Sequence, residues 1–238
     1  MGNSSFKKHI PNTITCCNLL SGCVAVLFAI EGMYSLALSF IVAGAVFDFF
    51  DGLTARALKV NSPIGKELDS LADVITFGMA PAVMVYSWLE ECSAAHLDRM
   101  VAVGMPFVAF LLVAFSALRL AKFNVDERQT SSFIGLPTPA NALFWGALVI
   151  GSHDSIVAHP YGWALVIALV FLFSWLLVAE IPMFSLKFKS LAWKPNRIAY
   201  IFLLISLILL IILGLNGLSA VIGWYIILSI VTNRKSIL

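Results

Sequence analysis

Apolar runs of about 20 residues, separated by short polar breaks, recur along the whole chain. Runs of this length can cross a hydrocarbon core of about 30 Å as helices. Eight segments qualify, near residues 13–30, 33–55, 67–89, 100–121, 138–152, 161–181, 197–214 and 216–232. Glu31-Gly32, Lys59 to Lys66, Glu90 to Arg99, Phe123 to Pro139, Gly151 to Pro160, Met183 to Asn196 and Asn216-Gly217 mark the breaks. Composition points the same way: 61% of residues are hydrophobic and 12% charged, whereas about a quarter of a soluble domain is charged. The expectation is an all-α integral membrane protein of about eight transmembrane helices, forming a single domain over 1–238.

Charge distribution sets an expected orientation. Lys7 and Lys8 precede the first run; Arg56, Lys59 and Lys66 follow the second; Arg119, Lys122 and Arg128 follow the fourth. Lys187, Lys189, Lys194 and Arg197 follow the sixth, Arg234 and Lys235 the eighth, and Arg99 stands alone on the other side. Basic residues collect in cytoplasmic loops, so both termini should be cytoplasmic. The first run continues from Thr13 with no small-residue cleavage site, which predicts a retained helix. A net charge of +2 gives no case for a nucleic-acid partner.

Charged side chains inside such runs are costly and mark function. Asp48 and Asp51 are three residues apart in the second run, and Asp69 and Asp73 four apart in the third. Each pair therefore lies on one helical face, and the loop from Lys59 to Gly65 returns the chain so that both pairs stand near the same end. Four acids at one depth repel, and Arg56 alone cannot balance them. Carboxylates suit hard cations such as Mg2+ or Mn2+, and a pair of such ions could clamp a phosphate. Gly52 and Ala55 leave room near the Asp51 face for a nucleotide or a neighbouring helix, and the Arg56 fork suits a diphosphate. A solvated acidic face or ion-pair network is the ordinary alternative, and a cation or proton transporter would also use intramembrane acids.

Asp48-x2-Asp51-Gly52-x2-Ala55-Arg56-x8-Gly65-x3-Asp69-x3-Asp73 resembles the signature of the CDP-alcohol phosphatidyltransferase family without a departure. The resemblance implies a six-helix core, about residues 11–182, with two further C-terminal helices near 197–232. It also implies a homodimer, an active site at the cytoplasmic membrane face, a CDP-linked lipid donor, two divalent ions, and release of CMP. Carried onto this chain, Asp48, Asp51, Asp69 and Asp73 would hold the ions, and Asp73 would also be the base. Gly52, Ala55 and Arg56 would contact the CDP part, together with Asp48 and Asp51, and Gly65 would let the loop approach it. Ser62, Asn12 and Thr15 are further candidates for the CDP side, with helix capping by Asn12 or Thr13 as the alternative.

Three segments narrow the acceptor. Pro11 to Gly22, Asp69 to Pro81, and Arg119 to Asn124 followed by Gly135 to Ala140 are similar to the phosphatidylserine synthase branch of that family. The donor would then be CDP-diacylglycerol and the acceptor L-serine, in a bacterial or archaeal-type cytoplasmic membrane. Arg119 and Lys122 are candidates for the serine carboxylate, and Asn124 and Asn18 for neutral hydrogen bonds; a same-family transferase using glycerol phosphate or inositol phosphate is the alternative. Cys16, Cys17, Cys23 and Cys92 read as small core residues. Trp88, Trp145, Trp163, Trp193 and Trp224 read as anchors at the membrane interface. His9, His96, His153 and His159 are scattered over different breaks and suggest no ligand set.

Overall fold

A computed structural model describes residues 2–60, 62–126, 133–183 and 193–233, with the side chains of 2–8, 133, 193–195 and 233 left out. Arg128, Lys187, Lys189, Arg234 and Lys235 lie outside the described residues, as do the side chains of Lys7, Lys8, Trp193 and Lys194. The helices are α1 (Gly2–Ile30), α2 (Tyr34–Ala57), α3 (Pro63–Asp73), α4 (Ala80–His96), α5 (Arg99–Gly104), α6 (Leu111–Val125), α7 (Thr138–Val157), α8 (Gly162–Val178), α9 (Trp193–Leu213) and α10 (Gly217–Asn233). A π-helical turn, Val74–Met79, joins α3 to α4 in one rod, and a 3-10 segment, Met105–Phe110, joins α5 to α6. Two-residue strands β1 (Phe133–Ile134) and β2 (Pro182–Met183) pair antiparallel.

The protein is an all-α membrane protein. Each of the eight expected segments is helical, and among the described residues five stretches are long and apolar enough to cross a membrane: His9–Ile30, Tyr34–Ala57, Pro63–His96, Arg99–Val125 and Asn196–Thr232. The last folds back on itself, because Gly214 adopts φ +58° and the rings of Phe202 and Tyr225 meet at 6.0 Å. Helix α8, with 17 residues, is shorter, and α7 carries His153 and Asp154 near its end.

Local chemistry explains the joints. Between α1 and α2, Gly32 at φ +71° donates to Ala29 O while Met33 N donates to Phe28 O, the paired bonds of a Schellman turn that glycine enters without strain. Helix α3 starts where Ser62 Oγ accepts from Gly65 N at 3.2 Å and Pro63 takes the first position, where its missing N–H costs nothing. Removing that cap in Ser62→Ala should lower stability by about 1 kcal/mol. A lower Tm in detergent that Ser62→Asp restores would establish capping; an unchanged Tm would exclude it.

The α3–α4 rod is the central post, since most of its apolar stretch is buried while the other four bury a third or less of theirs. Ala80, Val83, Met84, Trp88 and Leu89 of α4 pack in the core with Ala25, Ile41, Trp145, Val170 and Phe173. Outward-facing Leu20, Leu27, Phe49, Phe107 and Ile211 suit contact with lipid. Small residues let the first two helices close on the post: a Cβ at Gly22 would come within 2.8 Å of Thr76 Cα, and one at Gly44 within 2.9 Å of Asn18 Oδ1.

Three expectations are corrected here. Helix α1 runs through Pro11 from Gly2, and Thr13 Oγ1 bonds back to His9 O at 2.9 Å, so neither Asn12 nor Thr13 caps it. Trp88 and Trp145 are fully enclosed, because α4 and α7 are inner helices whose ends are covered by neighbours; they are core residues and not interface anchors. Cys16 and Cys23 are exposed on the outer side of α1, and of the four cysteines Cys92 alone is buried.

Candidate active site

The loop between α2 and α3 reverses the chain and brings the two acidic pairs to one end of the bundle. Asp48, Asp51 and Asp69 each present a carboxylate oxygen, all within 4.8 Å of one another. Thr15, on α1, donates to Asp51 Oδ2 at 2.6 Å while its hydroxyl also approaches Pro11 O at 3.1 Å. Asp69 Oδ1 is buried with no hydrogen-bond partner among the described residues. Three converging carboxylates and an orphaned buried oxygen fit a hard divalent cation, which prefers oxygen ligands and neutralises their repulsion.

Asp73 stands one helical turn along from Asp69, beside that cluster. It is 7% exposed, and Asn18 Nδ2 donates to its Oδ1 at 3.1 Å. Asn18 is in turn fixed through its backbone carbonyl, which accepts from Thr76 Oγ1 at 3.0 Å. Thr76 belongs to the π turn, so that turn positions the partner of Asp73; π turns in helices are often found at functional sites.

A cleft of about 580 Å³ opens beside the acids, lined by Asn12, Thr15, Asp51, Gly52, Ala55 and Ser62, and further by Pro11, Val60, Gly65, Lys66 and Asp69. All the residues expected on the CDP side line it except Asp48, which is in the adjoining cluster, and Arg56. Arg56 is exposed in the last turn of α2. A Cβ at Gly52 would meet nothing within 4 Å, so the space left by that glycine faces the cleft and not another helix. At Gly65 a Cβ would crowd Asn12 Oδ1 at 2.9 Å; that glycine lets α3 approach α1. Lys66, in the sequence a loop charge, stands in the first turn of α3 and lines the cleft.

The residues expected to hold serine do not stay together. Arg119 is 7% exposed, donates to Thr138 Oγ1 at 3.4 Å, and lies over the Phe123 ring at 5.7 Å. It interacts electrostatically with Asp73 and with Tyr225 of α10. Arg119 and Lys122 line a second cleft of about 740 Å³ with Asp126, Glu180 and the end of α8, and Lys122 Nζ reaches Val178 O at 3.5 Å. Asn124 points elsewhere: its Nδ2 donates to Ser70 Oγ at 2.8 Å and its carbonyl accepts from Lys66 Nζ at 2.8 Å, which braces α6 against α3. Asn18 is at Asp73.

The family description CDP-alcohol phosphatidyltransferase matches residues 8–176, well over half of the chain. The chain belongs to the CDP-alcohol phosphatidyltransferase family. This transferase is similar to a CDP-diacylglycerol–serine O-phosphatidyltransferase of Helicobacter pylori, 32% identical over 223 residues that cover 93% of this chain and 89% of the relative. A Bacillus subtilis protein of the same name is 36% identical over 136 residues, 56% of this chain and 70% of the relative. An archaetidylserine synthase of Methanothermobacter thermautotrophicus is 34% identical over 137 residues, covering 56% of this chain and 54% of the relative. Helices α9 and α10 lie beyond the matched family region, yet Tyr225 carries that C-terminal hairpin to Arg119. Family membership leaves the transporter reading unfavoured.

Proposed function

We propose that this transferase moves the phosphatidyl group of CDP-diacylglycerol to the hydroxyl of L-serine, giving phosphatidylserine and CMP. The observation that carries this reading is the convergence of Asp48, Asp51 and Asp69 beside a buried Asp73, in a chain whose relatives along 93% of its length are named for serine transfer. Two divalent cations, Mg2+ or Mn2+, held by the four aspartates would supply neutralisation of the donor phosphates. Thr15 orients Asp51 for this task, and Asn18 orients Asp73.

The cleft lined by Asn12, Thr15, Gly52, Ala55, Ser62 and Gly65 takes the CDP part, with Arg56 swinging from the open side onto the diphosphate. Asp73 accepts the proton of the serine hydroxyl. The freed oxygen attacks the phosphate nearest the diacylglycerol, and CMP leaves with the bond pair. Arg119 receives the serine carboxylate, and Lys122 draws the amino acid into the second cleft. The basic loops support an acid-bearing face and both termini on the cytoplasmic side of a bacterial-type membrane, and the family resemblance supports a homodimer.

The test is acceptor dependence. Purified protein with Mg2+ or Mn2+ should release CMP from CDP-diacylglycerol when L-serine is present and not without it. Release supported by glycerol phosphate or inositol phosphate in place of serine would overturn the acceptor.

A further inference from the structure

Between Asp73 and the middle of the bundle, several enclosed polar atoms have no partner among the described residues. They are Asn18 Oδ1, Ser116 Oγ, Arg119 Nε, and both Nδ2 and Oδ1 of Asn141. Asn18, Ser116 and Asn141 are fully buried. Each of these atoms is closed off from solvent, and buried donors and acceptors are as a rule paired.

Their placement is ordered. The Arg119–Thr138 hydrogen bond ties α6 to α7. Helix α6 arrives at this end of the bundle and α7 leaves from it, so residues before Arg119 and after Thr138 both lie deeper. Ser116 precedes Arg119 by three positions and Asn141 follows Thr138 by three, on the same helical faces. Each therefore sits about 4.5 Å inward of the bridge. The third wall is the π turn: a Cβ at Gly78 would meet Ser116 Cβ at 3.3 Å. The fourth is Asn18, bonded to Asp73, which interacts electrostatically with Arg119.

The unused atoms make a specific set: one cationic N–H, one hydroxyl, one complete amide and one further carbonyl, next to a carboxylate. A small zwitterion that carries a hydroxyl matches it. Its carboxylate would pair with Arg119 Nε and the Asn141 amide N–H, its ammonium with the side-chain carbonyl oxygen of Asn18 or Asn141, and its hydroxyl with Asp73. Glycerol phosphate or inositol phosphate would bring about two negative charges to a depth where Arg119 is the one cation among these residues.

We infer that Ser116 and Asn141 complete, with Arg119 and Asn18, an acceptor cradle for an amino acid, and that Asn141 is a specificity-determining residue for it. This rests on the serine reading above. Initial rates of CMP release from the purified full chain, with L-serine and CDP-diacylglycerol varied in turn, test it. Asn141→Leu should raise the KM for L-serine about tenfold or more, the loss expected for a hydrogen bond to a charged group, while the KM for CDP-diacylglycerol stays within about twofold. Ser116→Ala, which removes one oxygen and is the safer variant for folding, should raise the serine KM by a smaller factor in the same selective way. A serine KM unchanged in Ser116→Ala and in any folded Asn141→Leu protein, or both KM values rising together, would overturn the cradle and leave these residues as water-bound or packing groups. Should the wild type accept a different alcohol, the serine reading fails by itself, and the KM of that alcohol in the same variants then decides the cradle.

Discussion

Asp73→Asn is expected to yield a folded protein that releases CMP at least about a hundredfold more slowly than the wild type at saturating substrates, the lower range of a lost general base. Asparagine keeps the shape of aspartate, so the packing around position 73 is undisturbed. It cannot take a proton from serine, and it sets an amide where Asn18 Nδ2 now donates to a carboxylate. The variant thus removes the proposed base, while its own Oδ1 can still accept from Asn18 Nδ2. The measurement is CMP release with Mg2+ or Mn2+, with elution profile and Tm as the check on folding. Full turnover in a folded Asp73→Asn protein would take Asp73 out of the mechanism. Asp69→Asn offers the comparison: as a cation ligand, its loss should be partly recovered at high metal concentration, whereas that of Asp73 as base should not.

Gly44→Val should be strongly damaging, costing about 3 kcal/mol or more. Even well-placed extra carbons in a packed core cost about 1–3 kcal/mol, and this position is worse than usual. A Cβ there would overlap the Thr76 methyl and press on Asn18 Oδ1 at 2.9 Å. Thr76 and Asn18 are themselves joined, through Thr76 Oγ1 and the Asn18 carbonyl. The substitution therefore forces α2 away from the post and moves the residue that holds Asp73. A Tm several degrees lower in detergent, with transfer lost in step, is the expected result; Gly44→Ala should fall between valine and wild type. A Gly44→Val protein with wild-type Tm and rate would show that α2 does not pack here as described.

What the chain discloses without its structure follows from which interactions are periodic. Asp48 with Asp51, and Asp69 with Asp73, share helical faces by spacing alone, and the short loop between the pairs leaves little choice but to bring them together. The acceptor side is different. Ser116 and Asn141 are ordinary small polar residues within apolar runs, and what distinguishes them is the absence of partners across three helices, which no spacing encodes. Asn124 misleads in the opposite way: it follows Arg119 closely in sequence, but beyond the turn that carries Arg119 inward it faces Ser70. Trp88 and Trp145 mislead because nearness to a span end predicts an interface only for helices that touch lipid, and α4 and α7 are inner ones.

The π turn at Val74–Met79 also sets a phase. One residue added to or taken from a helix rotates everything after it by about 100°. Upstream, Asp69 must face the cleft and Asp73 must face Asn18; downstream, Ala80, Val83, Met84 and Trp88 must face the core. The wide turn is what allows both demands to be met on a single rod. Its length is therefore more tightly constrained than its composition. A chimera joined inside it inherits a working site only if that count is preserved.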